Sequence, residues 1–414
     1  MKHILLVLLL CLPFAGRAED KPVKVKNLLS EAKAAIKNAK NQANAEKNLM
    51  AVVNRDDVTN DKRAEIYFMG EELQRSQNDA ENMKLYLKQP YDTVKFFSTI
   101  LRMYEYLLLC DSVESLPNEQ GVVKYKYRSK GRELMKAYRS NLLNGGKFLM
   151  KRNKHADAFP YFDVYLKTAR HPIFEDYPNI KGDTLLPHVS YWATIAAYNA
   201  NQPALALKHI DEAIQGTDGE VRISLQEYKV RCYEVQKQDS LWLENLLLGA
   251  KLYPAHDYFF LHLMDVYMQQ QAYDKGIALC DSMLQKVGNR SIYWYGESQM
   301  YLQLKNFDET IRTADEALKC DEKMADAYYN KGIAYLNKAV VFAETACNDV
   351  RDPKCQKDRQ TLLELYRQAK GPMEQLRKLA PEDSKRWAMP LYRIYLNLNM
   401  GAEFAEMEKI VNAQ

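Results

Sequence analysis

The chain has 414 residues, of which 47% are hydrophobic and 27% are charged. It contains few Gly and Pro and many Tyr, Leu, Ala and Lys, the composition of a globular protein long enough to bury a large core. The formal net charge is only +4 at pH 7, which excludes any assignment of a partner class from global charge.

Residues 1–18 have the pattern of a targeting segment. Lys2 and His3 precede an apolar run at 4–12, and small residues within 16–18 offer a cleavage site. The run is too short to cross a bilayer, so the segment is predicted to be a secretory signal peptide. We therefore expect an exported protein of the periplasm or cell envelope.

Cys11 raises the question of a lipid anchor. A bacterial lipoprotein has a small residue just before its modified cysteine, whereas Leu10 is bulky. A lipid anchor is therefore not expected.

The segment 19–121 is predicted to form divergent helical pairs. Residues 24–53 read as one helix or a helix pair, because apolar side chains recur at helical spacing. Further helices are predicted at 61–77 and 93–113, followed by a loop at 116–121.

The stretch 124–154 is strongly basic. It contains eleven Lys or Arg, one acid, Glu133, and three interleaved tyrosines. One interpretation is a surface for an anionic partner such as an envelope polysaccharide or phospholipid headgroups. The other is a solvated helix face whose neighbours supply acids. Nucleic acid is not expected as a partner of an exported protein.

Helix pairs are predicted in the rest of the segment 122–222. One pair lies within 142–172, with Gly146 in its first helix and Ala158 and Phe162 in its second. Another combines 189–199 with a helix at 203–215.

Four tyrosines, Tyr233, Tyr267, Tyr301 and Tyr335, recur at one constant interval along the chain. Each lies in the first of two helical runs, which a short polar turn such as 305–306 separates. This pattern resembles the tetratricopeptide repeat (TPR), a helix–turn–helix unit with a period of about 34 residues. The resemblance, to exported bacterial TPR proteins, implies an all-α fold: a right-handed α-solenoid of antiparallel helix pairs.

Small residues support this register in part. Position 1 of successive units falls at residues 223, 257, 291 and 325. Ser298 and Gly332 then stand at position 8, where the family has a small residue that lets helix backbones approach closely, but Val230 and Met264 depart from it. The TPR array is predicted over 223–383.

The unit beginning at Ala325 departs from the period. Its helix-ending proline should fall at residue 356, but the proline that fits is Pro381, most of a further repeat later. Both helices are therefore expected to be lengthened into a protruding hairpin at 339–366. The remaining segment, 384–414, is predicted to cap the array.

Cys347 and Cys355 flank the tip of this hairpin. The signal peptide implies an oxidising compartment, so a disulfide between them is expected. Two free thiols or two metal ligands stay open as alternatives. The cysteines without a predicted pairing are Cys110, Cys232, Cys280 and Cys320.

No stretch of the sequence carries a recognisable catalytic motif. It contains no GxSxG, no HExxH, no Gly-rich phosphate loop and no CxxC. We therefore predict no catalytic, cofactor-binding or metal site, and a protein that is not an enzyme.

The resemblance places a ligand groove on the first helices of the units, at positions 2, 5, 9, 12 and 13. Tyrosine rings, amides and carboxylates there suit a peptide backbone and also suit sugars. The Lys and Asn clamp that some family members use for a peptide carboxylate is not visible. The predicted groove residues are Tyr258, Asp265, Gln269, Tyr295, Gln299, Gln303, Asp326, Tyr329 and Asn337.

Three functions follow as hypotheses. The first is a non-catalytic scaffold of the cell envelope that binds a protein or peptide through the groove or the hairpin. The second is a binder of an anionic envelope polymer or membrane surface through 124–154. The third is an enzyme whose site is assembled across helices without a recognisable motif.

Overall fold

The computed structural model describes residues 24–118, 120–347 and 353–413. All regular structure in these ranges is helical, with twenty α-helices and one short 3-10 helix. The prediction of an all-α fold of TPR-like helix pairs is therefore confirmed. No helix in the described ranges is long and apolar enough to cross a membrane. The predicted signal peptide and Cys11 lie outside the described residues.

The chain divides into two compact units, Met1–Leu225 and Gln226–Gln414. Each unit is built from consecutive helix pairs, and within most pairs a short turn joins the two helices. The finer division into five segments stays a prediction.

Within the described ranges, the first unit contains ten α-helices and the beginning of an eleventh. Their bounds are α1 Val25–Asn38, α2 Gln42–Val52, α3 Asn60–Tyr86, α4 Thr93–Glu114, α5 Arg128–Met150, α6 His155–Ala169, α7 Pro178–Lys181, α8 Leu186–Asn199, α9 Pro203–Leu207, α10 Ile210–Gln215 and α11 Gly219–Val235. The 3-10 helix Pro172–Phe174 follows α6. Two of the helices predicted from the sequence differ in the structure.

Helix α3 continues to Tyr86, well beyond the predicted end at residue 77. The predicted helix 203–215 is instead broken into α9 and α10 at Lys208 and His209. Both residues at the break reach Asp163 of α6, with His209 Nε2 2.7 Å from its Oδ1. This carboxylate holds the turn in place, a tertiary contact that the helical apolar pattern does not reveal.

Close packing inside the hairpins depends on small residues, as the contact between α5 and α6 illustrates. A Cβ placed on Gly146 would lie 2.6 Å from Cζ of Phe162, so no larger residue fits without a shift. Phe162 is fully buried. Gly146 and Phe162 thus meet where α5 and α6 pack together.

The second unit continues with nine helices in the described ranges. Their bounds are α12 Asp239–Leu252, α13 Asp257–Gln269, α14 Tyr273–Val287, α15 Ser291–Gln303, α16 Phe307–Cys320, α17 Ala325–Thr345, α18 Pro353–Leu379, α19 Ser384–Asn397 and α20 Gly401–Asn412. The core near the C-terminus packs Leu336 and Met373 against Trp387 and Ile394.

The repeat period appears in the backbone as a recurring helix ending. Lys237, Gln271 and Lys305 all have a left-handed φ of 55–58°. At each of them the next residue donates its N–H to the carbonyl oxygen of the repeated tyrosine, as from Asn306 to Tyr301 at 3.0 Å. This is the Schellman ending of an α-helix, and it fixes the turn that starts the second helix of each pair.

The same ending recurs at the C-terminus. Asn399 has a φ of 54°, and Met400 donates to the Tyr395 carbonyl oxygen at 2.9 Å. The helices α19 and α20 therefore share the register of the repeats, with position 1 at Lys385. In the unit that begins at Ala325 this ending is missing, because α17 continues to Thr345.

Candidate functional site

The nine predicted groove residues lie on α13, α15 and α17, the first helices of three consecutive pairs. Asp265, Gln269 and Gln303 are exposed, and the other six are partly buried. They thus lie on equivalent helices and remain at least partly accessible to a ligand.

Asp326 and Tyr329 of α17 meet an arginine that the sequence analysis did not include. Nη2 of Arg386 lies 2.8 Å from Oδ1 of Asp326, and its guanidinium carbon lies 4.4 Å from the ring centroid of Tyr329. A second carboxylate, that of Asp383, lies 3.4 Å from Nη1. The arginine is therefore held by an ion pair and a cation–π contact at once.

Charges on neighbouring helices act on the phenol of Tyr295 in α15. Its phenol has a pKa raised to about 12, chiefly by burial. The carboxylates of Asp326 and Asp265 act in the same direction, and Arg386 opposes them. The phenol is therefore protonated at neutral pH and can donate a hydrogen bond. We call Asp265, Tyr295, Asp326, Tyr329 and Arg386 the groove cluster.

Tyr258 of α13 lies outside this cluster, beside a second arginine. The guanidinium carbon of Arg231 lies 5.2 Å from its ring centroid, and the His262 ring lies 4.1 Å away. Burial raises the pKa of the Tyr258 phenol, with Arg231 acting in the opposite direction. Nδ1 of His262 is held by the Tyr258 carbonyl oxygen at 2.7 Å.

The predicted amides are not joined to the cluster. Among the described residues, no hydrogen bond links the side chains of Gln269, Gln299, Gln303 or Asn337 to its members. Gln269 and Gln303 are the last residues of α13 and α15, Gln299 lies about one turn before the end of α15, and Asn337 lies in the middle of α17.

Both arginines stand at repeat positions that the sequence analysis assigned to the groove, so the repeat register could have revealed them. Arg231 stands one repeat before Asp265, at position 9, and Arg386 stands at position 2 of the last pair. The second was missed because the insertion in α17 and α18 displaces the period. The left-handed conformation of Asn399 marks position 15 of the last pair, and this assignment gives Arg386 its repeat position.

Most cations of the basic stretch 124–154 have neighbours that offset their charge. Glu114 accepts the backbone N–H groups of residues 126–128 at the start of α5. The ion pairs are Arg128–Asp111, Lys130–Glu72, Lys136–Glu133 and Arg139–Asp183. Further cation–π contacts are Arg132–Tyr177, Lys147–Trp192 and Arg152–Phe148. These contacts favour a helix face supplied with acids by its neighbours, and the anionic-partner hypothesis stays untested.

The hairpin tip brings Cys347 and Cys355 together, with their Cα atoms 4.8 Å apart. This separation lies within the range that a disulfide requires. The backbone N–H of Cys347 donates to Oδ2 of the buried Asp358 at 2.9 Å, which fixes the end of α17 against α18. Residues 348–352, between these two cysteines, lie outside the described residues.

Three of the other four described cysteines are buried thiols. Cys110, Cys232 and Cys280 are buried and Cys320 is exposed. Burial raises the pKa of all three buried thiols, that of Cys232 to about 11. In the described ranges no three His, Cys, Asp or Glu residues are grouped so as to hold a metal ion.

One of the groove helices, α15, carries a buried carboxylate. Glu297 of α15 is 2% exposed, and Nη2 of Arg312 lies 3.5 Å from its Oε1. Its Oε2 has no hydrogen-bond partner among the described residues. Burial, with Asp281 as the next cause, raises the pKa of this carboxyl to about 7.

Helix pairs with a shared register and a polar aromatic face define this chain as an α-helical repeat protein. No family model matches the sequence, and no curated protein matches it significantly.

Solved structures with a similar arrangement are TPR proteins. The C-terminal part of a TPR repeat-containing protein from Cytophaga hutchinsonii is 13% identical and covers 61% of this chain and 92% of its own, with a TM-score of 0.35. A TPR repeats protein from Bacteroides fragilis is 17% identical, covering 61% and 96%, with a TM-score of 0.31. Yeast Tom70 is 10% identical, covering 94% and 95%, with a TM-score of 0.27. Similarity this low identifies neither a partner nor an activity.

Proposed function

We propose that this chain is an exported, non-catalytic scaffold of the cell envelope that binds an extended segment of a protein partner along the first helices of its second unit. The observation that carries the proposal is the groove cluster. There, Arg386 of α19 contacts Asp326 and Tyr329 of α17, and the charges of Asp265, Asp326 and Arg386 act on the ionisation of the partly exposed Tyr295.

The chemistry of this surface matches a peptide. The protonated phenol of Tyr295 can donate to a backbone carbonyl, and the amides of Gln299 and Gln303 can both donate and accept. Aromatic faces add apolar contact area at a small entropic cost. A ligand crossing α13, α15 and α17 would meet all three kinds of group.

Export is proposed from the N-terminal sequence. Lys2, the apolar run 4–12 and the small residues of 16–18 have the order of a secretory signal. The close approach of Cys347 and Cys355 supports an oxidising destination, where a disulfide would persist.

The proposal can be tested by capture from envelope extract with the purified mature chain. A photo-crosslinking residue at Gln303 should yield a defined adduct, and the same residue at Lys319, an exposed site on the second helix α16, should not. Equal labelling from the two sites would argue against the groove.

Substitution then locates the partner. Tyr295→Ala with Tyr329→Ala should abolish capture, whereas Tyr86→Ala, which alters a tyrosine 83% exposed on the first unit, should not. Melting temperatures of both variants serve as the folding control. Unchanged capture by the folded double variant would reject this site.

A further inference from the structure

The turn that joins α3 to α4 exposes a group of apolar side chains. Tyr86, the last residue of α3, is 83% exposed. Consecutive residues of a helix point in different directions, so the apolar side chains at 85 and 86 do not share one packing face. We call residues 83–95 the α3–α4 turn. Its other exposed apolar side chains are Met83, Leu85, Leu87 and Val94.

The core of the first unit does not use this end of α3. The helix buries Ile66, Met69 and Leu73, and the buried residues after them are all polar. Oε2 of Glu81 accepts the backbone N–H of Asp92 at 3.0 Å, so the last turn of α3 extends past the point where α4 begins. An exposed apolar surface that packing does not require indicates an interaction site.

The next turn of this unit, between α5 and α6, lies at the same end and is basic. The ring of Phe97, early in α4, lies 5.5 Å from that of Phe148, near the end of α5. The α5–α6 turn, residues 147–157, therefore emerges beside the α3–α4 turn. Residues 81–95 and 147–157 together contain seven Lys or Arg and three Asp or Glu.

Most of these cations have no acid beside them. Lys84 and Lys95 share Glu81, with Nζ–Oε1 distances of 2.9 and 3.8 Å. The charge of the other cations stays available to an external anion. Those that no carboxylate of the described residues approaches within ion-pair distance are Lys88, Lys147, Lys151, Arg152 and Lys154.

We infer that these two turns dock on the surface of a bilayer that contains anionic phospholipids. The apolar side chains of the α3–α4 turn enter the boundary between headgroups and acyl chains, where tyrosine is a preferred residue. The cations around them contact the phosphate groups, and their methylene stems lie along the apolar layer. A protruding turn has no concave wall to hold a protein segment, whereas a flat bilayer accepts an apolar projection bordered by cations.

The test measures co-sedimentation of the mature chain with lipid vesicles. The chain should bind vesicles of phosphatidylcholine that contain about one third phosphatidylglycerol, and bind phosphatidylcholine alone about tenfold more weakly. Binding to the anionic vesicles should weaken as ionic strength rises to ~0.15 M, because the cations are exposed.

Charge variants assign the anionic preference to the α5–α6 turn. Lys151→Gln with Lys154→Gln should weaken binding to the anionic vesicles by about fivefold for each charge. The matched control, Lys319→Gln with Lys323→Gln, removes two exposed lysines of the second unit and should leave binding unchanged.

Apolar variants assign the insertion to the α3–α4 turn. Met83→Ser with Leu87→Ser should weaken binding to both kinds of vesicle by about tenfold. The matched control, Leu247→Ser with Leu252→Ser, alters two exposed leucines of α12 and should change neither. Melting temperatures check that all four variants fold.

A fluorescence measurement reports insertion directly. Tryptophan introduced by Tyr86→Trp should be quenched by phospholipids with brominated acyl chains, whereas tryptophan introduced by Leu252→Trp should not.

The outcomes separate this inference from the groove proposal. No binding to anionic vesicles overturns it, and so does binding without quenching at position 86 or binding that Met83→Ser with Leu87→Ser does not weaken. Tyr295→Ala with Tyr329→Ala should bind vesicles like the parent chain. Tyr86→Ala should weaken vesicle binding and leave capture of the protein partner unchanged, so either proposal can fail while the other stands.

Discussion

The second unit contains two adjacent helix pairs that begin alike and end differently. α15 and α16 have 13 and 14 residues, whereas α17 and α18 have 21 and 27. Both pairs carry the repeated tyrosine at position 11, Tyr301 and Tyr335. Packing between the first helices thus follows the repeat period even where the hairpin length does not.

What differs is the residue at position 15. Lys305 adopts a left-handed φ of 58° and ends α15, whereas Ala339 is fully buried inside α17. A buried alanine favours continuation of a helix, while an exposed lysine can accept the turn. Hairpin length is therefore set locally at the end of the first helix, and the packing register is set separately.

The largest expected change in stability comes from a substitution at position 8 of the long pair, which is Gly332. A Cβ on Gly332 would lie 2.9 Å from Cγ of Met373 and closer still to its Cε. Gly332→Val should therefore overpack the crossing of α17 and α18 and destabilise the second unit by about 3 kcal/mol. Urea denaturation measures the change.

Gly371 of α18 is the matched control. A Cβ there meets nothing within 4 Å, so Gly371→Ala should stabilise by up to ~1 kcal/mol through helix propensity. If Gly332→Val were as stable as the parent chain, the close crossing would be disproved.

At position 7 the two pairs carry different ionisable residues, an acid in one and a base in the other. The short pair has Glu297, buried with a pKa raised to about 7, and the long pair has Lys331, whose ammonium lies 2.6 Å from Asp315. The raised pKa means that the folded chain binds a proton more tightly than the unfolded chain. Stability from this carboxyl is present below about pH 4.5 and is lost as the pH rises through about 7.

Glu297→Gln should therefore stabilise the chain by about 2 kcal/mol at pH 8 and change little at pH 4.5. The control variant is Glu322→Gln, which changes an exposed carboxylate in the turn before α17. The measurement is the difference in unfolding free energy from the parent chain across this pH range. A constant difference would mean that the Glu297 carboxyl is not buried beneath the groove.

The sequence predicted the repeated helix pairs, but it did not predict Arg386, which lies beyond the insertion in α17 and α18. Four tyrosines at one spacing were enough to predict the helix pairs from residue 223 onward, because the period and the apolar pattern agree. If the same period is continued through the long hairpin, Arg386 does not fall at a groove position. The arginine that completes the groove cluster was therefore invisible until the backbone at Asn399 restored the register.

Tertiary contacts account for the other differences. The break at Lys208 and His209 depends on Asp163, 45 and 46 residues earlier in the chain. The pairing of Asp326 with Arg386 joins two different helix pairs, and neither position alone predicts the other. Propensity and spacing describe one helix or one hairpin, whereas these contacts arise between hairpins.

The tip of the long pair provides a third test. If Cys347 and Cys355 form a disulfide, replacing both with serine should lower the unfolding free energy by about 2 kcal/mol, because the bridge restricts a short loop in the unfolded chain. Tris(2-carboxyethyl)phosphine should have the same effect on the parent chain and none on the variant. Two thiols reactive at these positions before reduction would rule the bridge out.

The smallest expected effects come from glycine at position 15, where the two pairs should respond with opposite sign. Lys305→Gly removes a side chain from a left-handed conformation and should stabilise by about 0.5–1 kcal/mol. Ala339→Gly places glycine inside α17 and removes a buried methyl group, so it should destabilise by about 1–2 kcal/mol. Thermal unfolding of the two variants gives the signs, and equal signs would mean that the same residue position does not decide where the first helix ends.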